Sequence, residues 1–256
     1  FVQAAGGTAV LLPSGPDTRF QLSREQVETA WGLDTCGVLL ASPSNPTGTS
    51  IARAELEAIA RSVRERGGVT LIDEIYLGLS YDEAFGHSAL EHGDDVISIN
   101  SFSKYFSMTG WRLGWLVLPA ELVAPVERLA QNLYICPSTS AQHAALACFD
   151  DAALSVYEDR RAEFRRRRDF LVPALRTLGF GIPVVPDGAF YIYADVSRFA
   201  EDSFEFVRSL LRATGVCLVP GKDFGVASPE RYVRVSYATS LERLEEAVER
   251  MRGYLG

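Results

Sequence analysis

Lys104 stands in SFSKYFSMTGWRLGW, residues 101–115, among small hydroxyls and aromatic rings and ahead of Arg112. Only two of the chain's 25 lysines and arginines, Lys104 and Lys222, are lysine. The distinction is chemical: an ammonium can lose its proton and attack a carbonyl, whereas a guanidinium stays protonated. Other stretches carry residues that could share such chemistry. SPSNPTGT (42–49) holds Asn45, DEIY (73–76) holds Asp73 and Tyr76, GAFY holds Phe190, and YVRVSYA (232–238) holds Arg234. Each also has a plain structural reading. Asn45 before Pro46, with Gly48 following, is an ordinary turn. Asp73 can cap an element, Tyr76 can be packing, and Arg112 can pair with a surface carboxylate. Phe190 can belong to the core, and Arg234 can face solvent from an edge strand. Lys222, in the Gly-rich turn PGKDFG, has no serine–arginine set around it and reads as a surface residue.

The elements that must position these residues alternate along the chain. Apolar runs at TAVLLP (8–13), GVLLASP (37–43), GVTLIDEIY (68–76), VISINSFSK (96–104) and RLGWLVLP (112–119) read as strands. A helix starting at Ser23 and another over 52–68, stopped by paired glycines, lie between them. Continuous apolar strands separated by helices predict an α/β fold, a three-layer α-β-α arrangement around a mostly parallel sheet. In such sheets ligands bind where strands end and the chain leaves for a helix. The polar stretches after 37–43, 69–72 and 96–100 all fall at that edge.

From about Glu121 to Leu178 the pattern is helical, and after Gly179 it turns to strands at 188–197, 216–221 and 232–238 with a last helix through LERLEEAVERMRGYL. The expected division is a large domain over 1–150, a long connecting helix over 151–178 and a smaller α+β domain over 179–256. The run Arg165–Arg168 is interspersed with Glu158, Asp159, Glu163 and Asp169, which reads as a solvated helix face.

A net charge of −8 and a pI near 5.0 disfavour nonspecific nucleic-acid binding, which draws on surplus basic charge. No apolar run is long enough to span a bilayer. The scattered cysteines (Cys36, Cys136, Cys148, Cys217) and histidines (His87, His92, His143) form no metal-ligand spacing, and reduced, buried thiols in a cytoplasmic protein are expected. The chain opens at Phe1 on FVQAAGGTAVLLP, a helix end running into a strand, so an N-terminal portion is expected to precede it.

SPSNPTG, DEIY, SFSKYFSMTGWRLG and YVRVSYA, in that order, resemble the successive signatures of the class I/II aminotransferases, pyridoxal-phosphate (PLP) enzymes of fold type I. The resemblance runs over essentially the whole chain. It implies that Lys104 carries the cofactor as a Schiff base and then serves as general base, that Asp73 faces the pyridine nitrogen, and that Asn45 and Tyr76 donate to the phenolic O3′. Ser101 and Arg112, with Ser103 as a weaker candidate, would take the phosphate. Arg234, with Asn45 and Phe190 nearby, would take the substrate and its α-carboxylate. The bond before Pro46 is expected to be cis.

The implied activity is ping-pong transfer of an amino group from an L-amino acid to a 2-oxo acid such as 2-oxoglutarate, in a homodimer if the N-terminal region is present. A PLP β-lyase would share every one of these residues, and the effector domain of a transcription regulator or a PLP-free scaffold are rivals of other classes. The family's N-terminal phosphate loop, ring-stacking aromatic and cross-subunit tyrosine have no counterpart here. NLYICPSTSAQ (132–142) has no basic residue, which leans away from aspartate as donor.

Overall fold

The computed structural model describes residues 1–256. Strands β1 (Gly37–Ala41), β2 (Val69–Asp73), β3 (Val96–Ser101) and β4 (Gly114–Val117) form one sheet in that order. The first three run parallel and β4 closes the edge antiparallel, so the sheet is mostly parallel as expected. Ala41 lies opposite Asp73, and Asp73 opposite Ile99. This register brings the carboxyl ends of three strands, and the segments leaving them, to one edge.

Helix α1 (Arg24–Ala30) starts at a reciprocal cap: the Ser23 hydroxyl accepts the Gln26 N–H, and the Gln26 side chain accepts the Ser23 N–H. Helix α2 (Arg53–Glu65) ends where Gly67 turns left-handed (φ 71°) and the Gly68 N–H reaches back to the Val63 carbonyl. The two helices lay Val27, Leu56, Ile59 and Val63 over Leu40, Ile72 and Val96 on one face of the sheet.

TAVLLP (8–13) does not form the expected strand. These residues join no ladder, and Val10 and Leu11 are 68% and 70% exposed. A strand exists through its cross-strand hydrogen bonds, and β1, at the edge of the sheet, pairs only with β2. β-rich composition cannot replace that partner.

The helical stretch resolves into α3 (Ala120–Leu133), α4 (Thr139–Leu146) and α5 (Asp151–Leu178). Ile135 at φ 71° and Pro137 interrupt the first two, and Gly179 at φ 103° ends the third. On α5 the arginine run is matched by acids: Arg166 and Arg167 pair with Glu163, and Arg165 and Arg168 with Asp169. Arg165 and Arg166 are exposed, and such pairs contribute only about 0–1 kcal/mol each; Arg167 and Arg168 instead turn inward, over the rings of Phe164 and Tyr81, which corrects the reading of the whole run as a solvated face.

A second sheet, β5 (Tyr191–Asp195), β7 (Tyr232–Ser236) and β6 (Val219–Pro220) in that order, is antiparallel throughout. It packs with α5, with α7 (Leu241–Leu255) and with α6 (Ser203–Thr214), a helix the sequence reading did not single out. Leu171, Leu175, Ile192, Leu210, Val233 and Val248 form the centre of that core. All four cysteines are free thiols; only Cys148 is buried, whereas Cys36, Cys136 and Cys217 are exposed, which corrects the expectation that all would be inside. No helix is long and apolar enough to cross a membrane.

The loop after β1 docks on the segment before β5. The Gly48 carbonyl accepts from both the Asp187 and Gly188 N–H groups at 3.0 Å. Asp187, buried, accepts from Arg19 at 2.5 Å and from the Ser50 N–H at 3.1 Å. Gly48 itself is left-handed (φ 66°), and a Cβ there would lie 2.7 Å from both the Pro186 Cβ and the Tyr191 carbonyl oxygen. Gly48→Ala therefore combines backbone strain with a clash against main chain and is expected to cost about 2–4 kcal/mol. A lowered urea midpoint at unchanged m-value would show this.

Candidate active site

The carboxyl edge of the first sheet assembles the polar residues singled out above. Asp73 is the last residue of β2, Ser101 the last of β3, and Asn45 leaves β1 on a loop with cis bonds at Ser42–Pro43 and Asn45–Pro46. The cis bond before Pro46 is the one expected. Lys104 follows β3 on a turn, with its ammonium 5.6 Å from the Tyr76 ring centre and 5.7 Å from that of Phe190. It forms no ion pair, whereas Lys222 is bound to Asp202 at 2.5 Å. The two lysines of the chain thus have opposite surroundings. Burial, and then the positive charges of Arg112 and Arg234, hold the Lys104 amine below the usual lysine value.

Asp73 is half-buried. One carboxylate oxygen accepts the Ile75 N–H at 3.0 Å, and no protein cation meets the other. Burial raises its pKa, partly offset by that backbone hydrogen bond. A carboxylate so placed is stabilised by a positively charged ring nitrogen. Tyr76 is buried, with its hydroxyl 3.1 Å from that of Tyr191. Burial and this hydroxyl contact push its pKa well up, so Tyr76 is a neutral phenol at physiological pH, able to donate a hydrogen bond.

Ser101 Oγ accepts the Ser103 N–H at 3.0 Å and lies 3.0 Å from Ser103 Oγ and 3.2 Å from the Leu113 carbonyl. Arg112, exposed and left-handed (φ 54°), donates to the Thr109 carbonyl at 2.9 Å and pairs with no carboxylate. Arg112 opens onto a groove of about 1220 Å³ between β4 and α3, while Lys104, Ser103 and Phe190 line a smaller cavity of about 420 Å³ against α5. The structure therefore gathers Lys104, Tyr76 and Phe190, with Ser103 lining the same cavity as Lys104 and Arg112 opening onto the neighbouring groove.

Arg234 reaches across from β7 and donates to Asn45 Oδ1 at 2.8 Å. The solvent-facing edge-strand reading fails: the guanidinium lies over the Tyr191 ring at 4.4 Å and the Phe224 ring at 4.6 Å. Phe190 stacks on Phe164 at 5.4 Å and meets Tyr76 edge-on at 5.6 Å, so it belongs both to the site and to packing.

Tyr191 and Phe224 were not singled out by the sequence reading. Tyr191 follows Phe190 in GAFY, but only tertiary structure turns its hydroxyl toward Tyr76. Phe224 lies in the PGKDFG turn, whose target is remote in sequence.

An open α/β sheet with an unpaired lysine and an unpaired carboxylate at its carboxyl edge, faced by an arginine from a second sheet, has the architecture of fold type I. The chain belongs to the class I and II aminotransferases, whose family model matches residues 1–251. It is 41% identical over 256 residues to the valine–pyruvate aminotransferase of Mycobacterium tuberculosis, covering 99% of this chain and 66% of that protein. It is 38% identical over 260 residues to the aspartate/prephenate aminotransferase of Thermus thermophilus, covering 100% and 66%. The crystal structure of an aminotransferase from Mycobacterium tuberculosis superposes with a TM-score of 0.94 at 40% identity, over 99% of this chain and 66% of that one. The chain thus spans slightly less than two thirds of the length of the relatives it matches.

Proposed function

We propose that the full-length protein is a PLP-dependent aminotransferase that moves an amino group from an L-amino acid to a 2-oxo acid, with 2-oxoglutarate as acceptor. The observation that carries this reading is Lys104: a half-buried amine with no counter-ion, pushed toward its neutral form, between Tyr76 and Phe190. The residues present fit PLP. Lys104 would hold the aldehyde, Asp73 the protonated ring nitrogen, and Tyr76 and Asn45 the phenolic oxygen. Ser101, Ser103 and Arg112 supply hydroxyls and a guanidinium of the kind that binds a phosphate. Bound there, the cofactor would supply an electron sink for the carbon losing its amino group.

The protein's own part is positioning and proton transfer. Lys104 Nζ, whose proton is held less tightly because of burial and then of Arg112 and Arg234, would take the proton from the substrate Cα. Arg234 would bind the α-carboxylate and Asn45 would share that contact. The 179–256 segment would act as a smaller domain that excludes water when substrate is bound. The absence of a cation in 132–142 leans away from aspartate as donor by that route, which leaves aromatic, aliphatic and sulfur-containing amino acids open. We further propose a homodimer, and a cytoplasmic location in keeping with the four free thiols.

The test is incubation of the full-length protein with PLP, a panel of amino acids and 2-oxoglutarate. Glutamate formation supports transfer, and pyruvate with ammonia in the absence of acceptor would instead mark a β-lyase. In the same assay Arg234→Lys is expected to raise KM for the amino acid about 10- to 100-fold, by loss of a bidentate charge-assisted contact.

A further inference from the structure

The PGKDFG turn places Phe224 against Arg234. The guanidinium has an aromatic ring on the Tyr191 side at 4.4 Å and another on the Phe224 side at 4.6 Å, measured to the ring centres. The two rings are held independently. Tyr191 is buried at the start of β5 and anchored by its hydroxyl contact to Tyr76. Phe224 is half-exposed and comes from a turn pinned at both sides of its entry. Lys222 is ion-paired to Asp202, which also caps α6 through the Phe204 N–H. Gly221 is pressed so closely on the main chain that a Cβ would lie 2.4 Å from the Pro229 carbonyl oxygen and 2.8 Å from that of Tyr232.

Arg234 has no acidic partner. Its Nε is buried without a hydrogen-bond acceptor, and Nη1 is directed at Asn45. A guanidinium with its Nε buried and two rings against it keeps its plane fixed, and charge attraction at its open end is less weakened by water there than on a fully exposed arginine.

We propose that Phe224, together with Tyr191, is a positioning residue: a two-ring clamp that orients Arg234 and shelters it, so that a substrate carboxylate is selected over a neutral group. This rests on the reading of Arg234 as the carboxylate ligand. The PGKDFG turn, which carries the chain's second lysine, then has a task in substrate selection.

The test compares kcat/KM for one amino acid and its α-carboxamide in full-length holoenzyme of the parent, Phe224→Ala, Phe224→Leu, Phe224→Tyr and Arg234→Lys. Phe224→Ala is expected to reduce the acid-to-amide ratio about tenfold, mainly through KM of the acid. Phe224→Leu, which keeps apolar volume without a ring face, is expected to fall with it, and Phe224→Tyr to restore the ratio. An unchanged ratio in Phe224→Ala, or equal losses on both substrates, overturns the clamp. If Arg234→Lys leaves the ratio unchanged, the carboxylate reading of Arg234 falls and the clamp with it. A collapsed ratio in Arg234→Lys beside an unmoved Phe224→Ala removes the clamp alone.

Discussion

Lys104→Ala is expected to abolish amino-group transfer, with kcat falling by at least about 10³-fold, since general acid–base catalysis alone contributes about 10²–10⁴. The loss should be chemical rather than structural. Lys104 makes no ion pair and is only half-buried, so the variant should melt close to the parent. Purified full-length Lys104→Ala should also lack the visible absorbance of lysine-bound cofactor. Lys104→Arg should be no better than alanine, because a guanidinium can neither attach to the aldehyde nor take up a proton at neutral pH. Activity within tenfold of the parent in either variant would remove Lys104 from the chemistry and with it the reading of the site.

The second large effect is at Asp73. Asp73→Asn keeps the acceptor for the Ile75 N–H but removes the charge that would hold a proton on the pyridine nitrogen. A fall in kcat of about 10²–10³ is expected, the scale seen when one preorganised electrostatic contact is lost. Stability without cofactor should move the other way. Burial raises the folded pKa of Asp73 above the ordinary aspartate value of 3.8, so the folded state holds the proton more tightly than the unfolded chain. That contribution is present below about 3.8 and is lost as pH rises through the raised folded value. At neutral pH the buried charge is therefore a cost, and Asp73→Asn should raise the apo melting temperature while lowering activity. A variant that loses both would instead mark Asp73 as a structural residue.

These two residues also show how much of the site was legible beforehand. Lys104 stood out because lysine is so scarce in a sequence that otherwise uses arginine, and Asp73 because a carboxylate ends an apolar run. The parallel strands, the capped start of α1 and the glycine stop of α2 were readable for a similar reason: each depends on residues within a few positions of one another. TAVLLP failed for the opposite reason. Its composition suits a strand, but strand formation requires a neighbour that local sequence does not specify.

Of Arg234's surroundings, Asn45 is implied by the family resemblance, whereas Tyr191 and Phe224 lay beyond reading from sequence. Alternation in YVRVSYA puts Arg234 on the face opposite Val233 and Val235, which speaks against a merely solvent-facing arginine but does not name its neighbours. The antiparallel pairing of β5 with β7, and the docking of the Gly48 loop on 187–188, bring Asn45, Tyr191 and Phe224 to it. By itself the sequence determined which groups can attack, hold charge or donate a proton, and at which ends of which strands they lie, because residue type and local periodicity carry that information. Only tertiary structure decided which of them meet. Contacts between residues as far apart as Asn45 and Arg234 depend on how two sheets pack, and packing is a property of the whole chain.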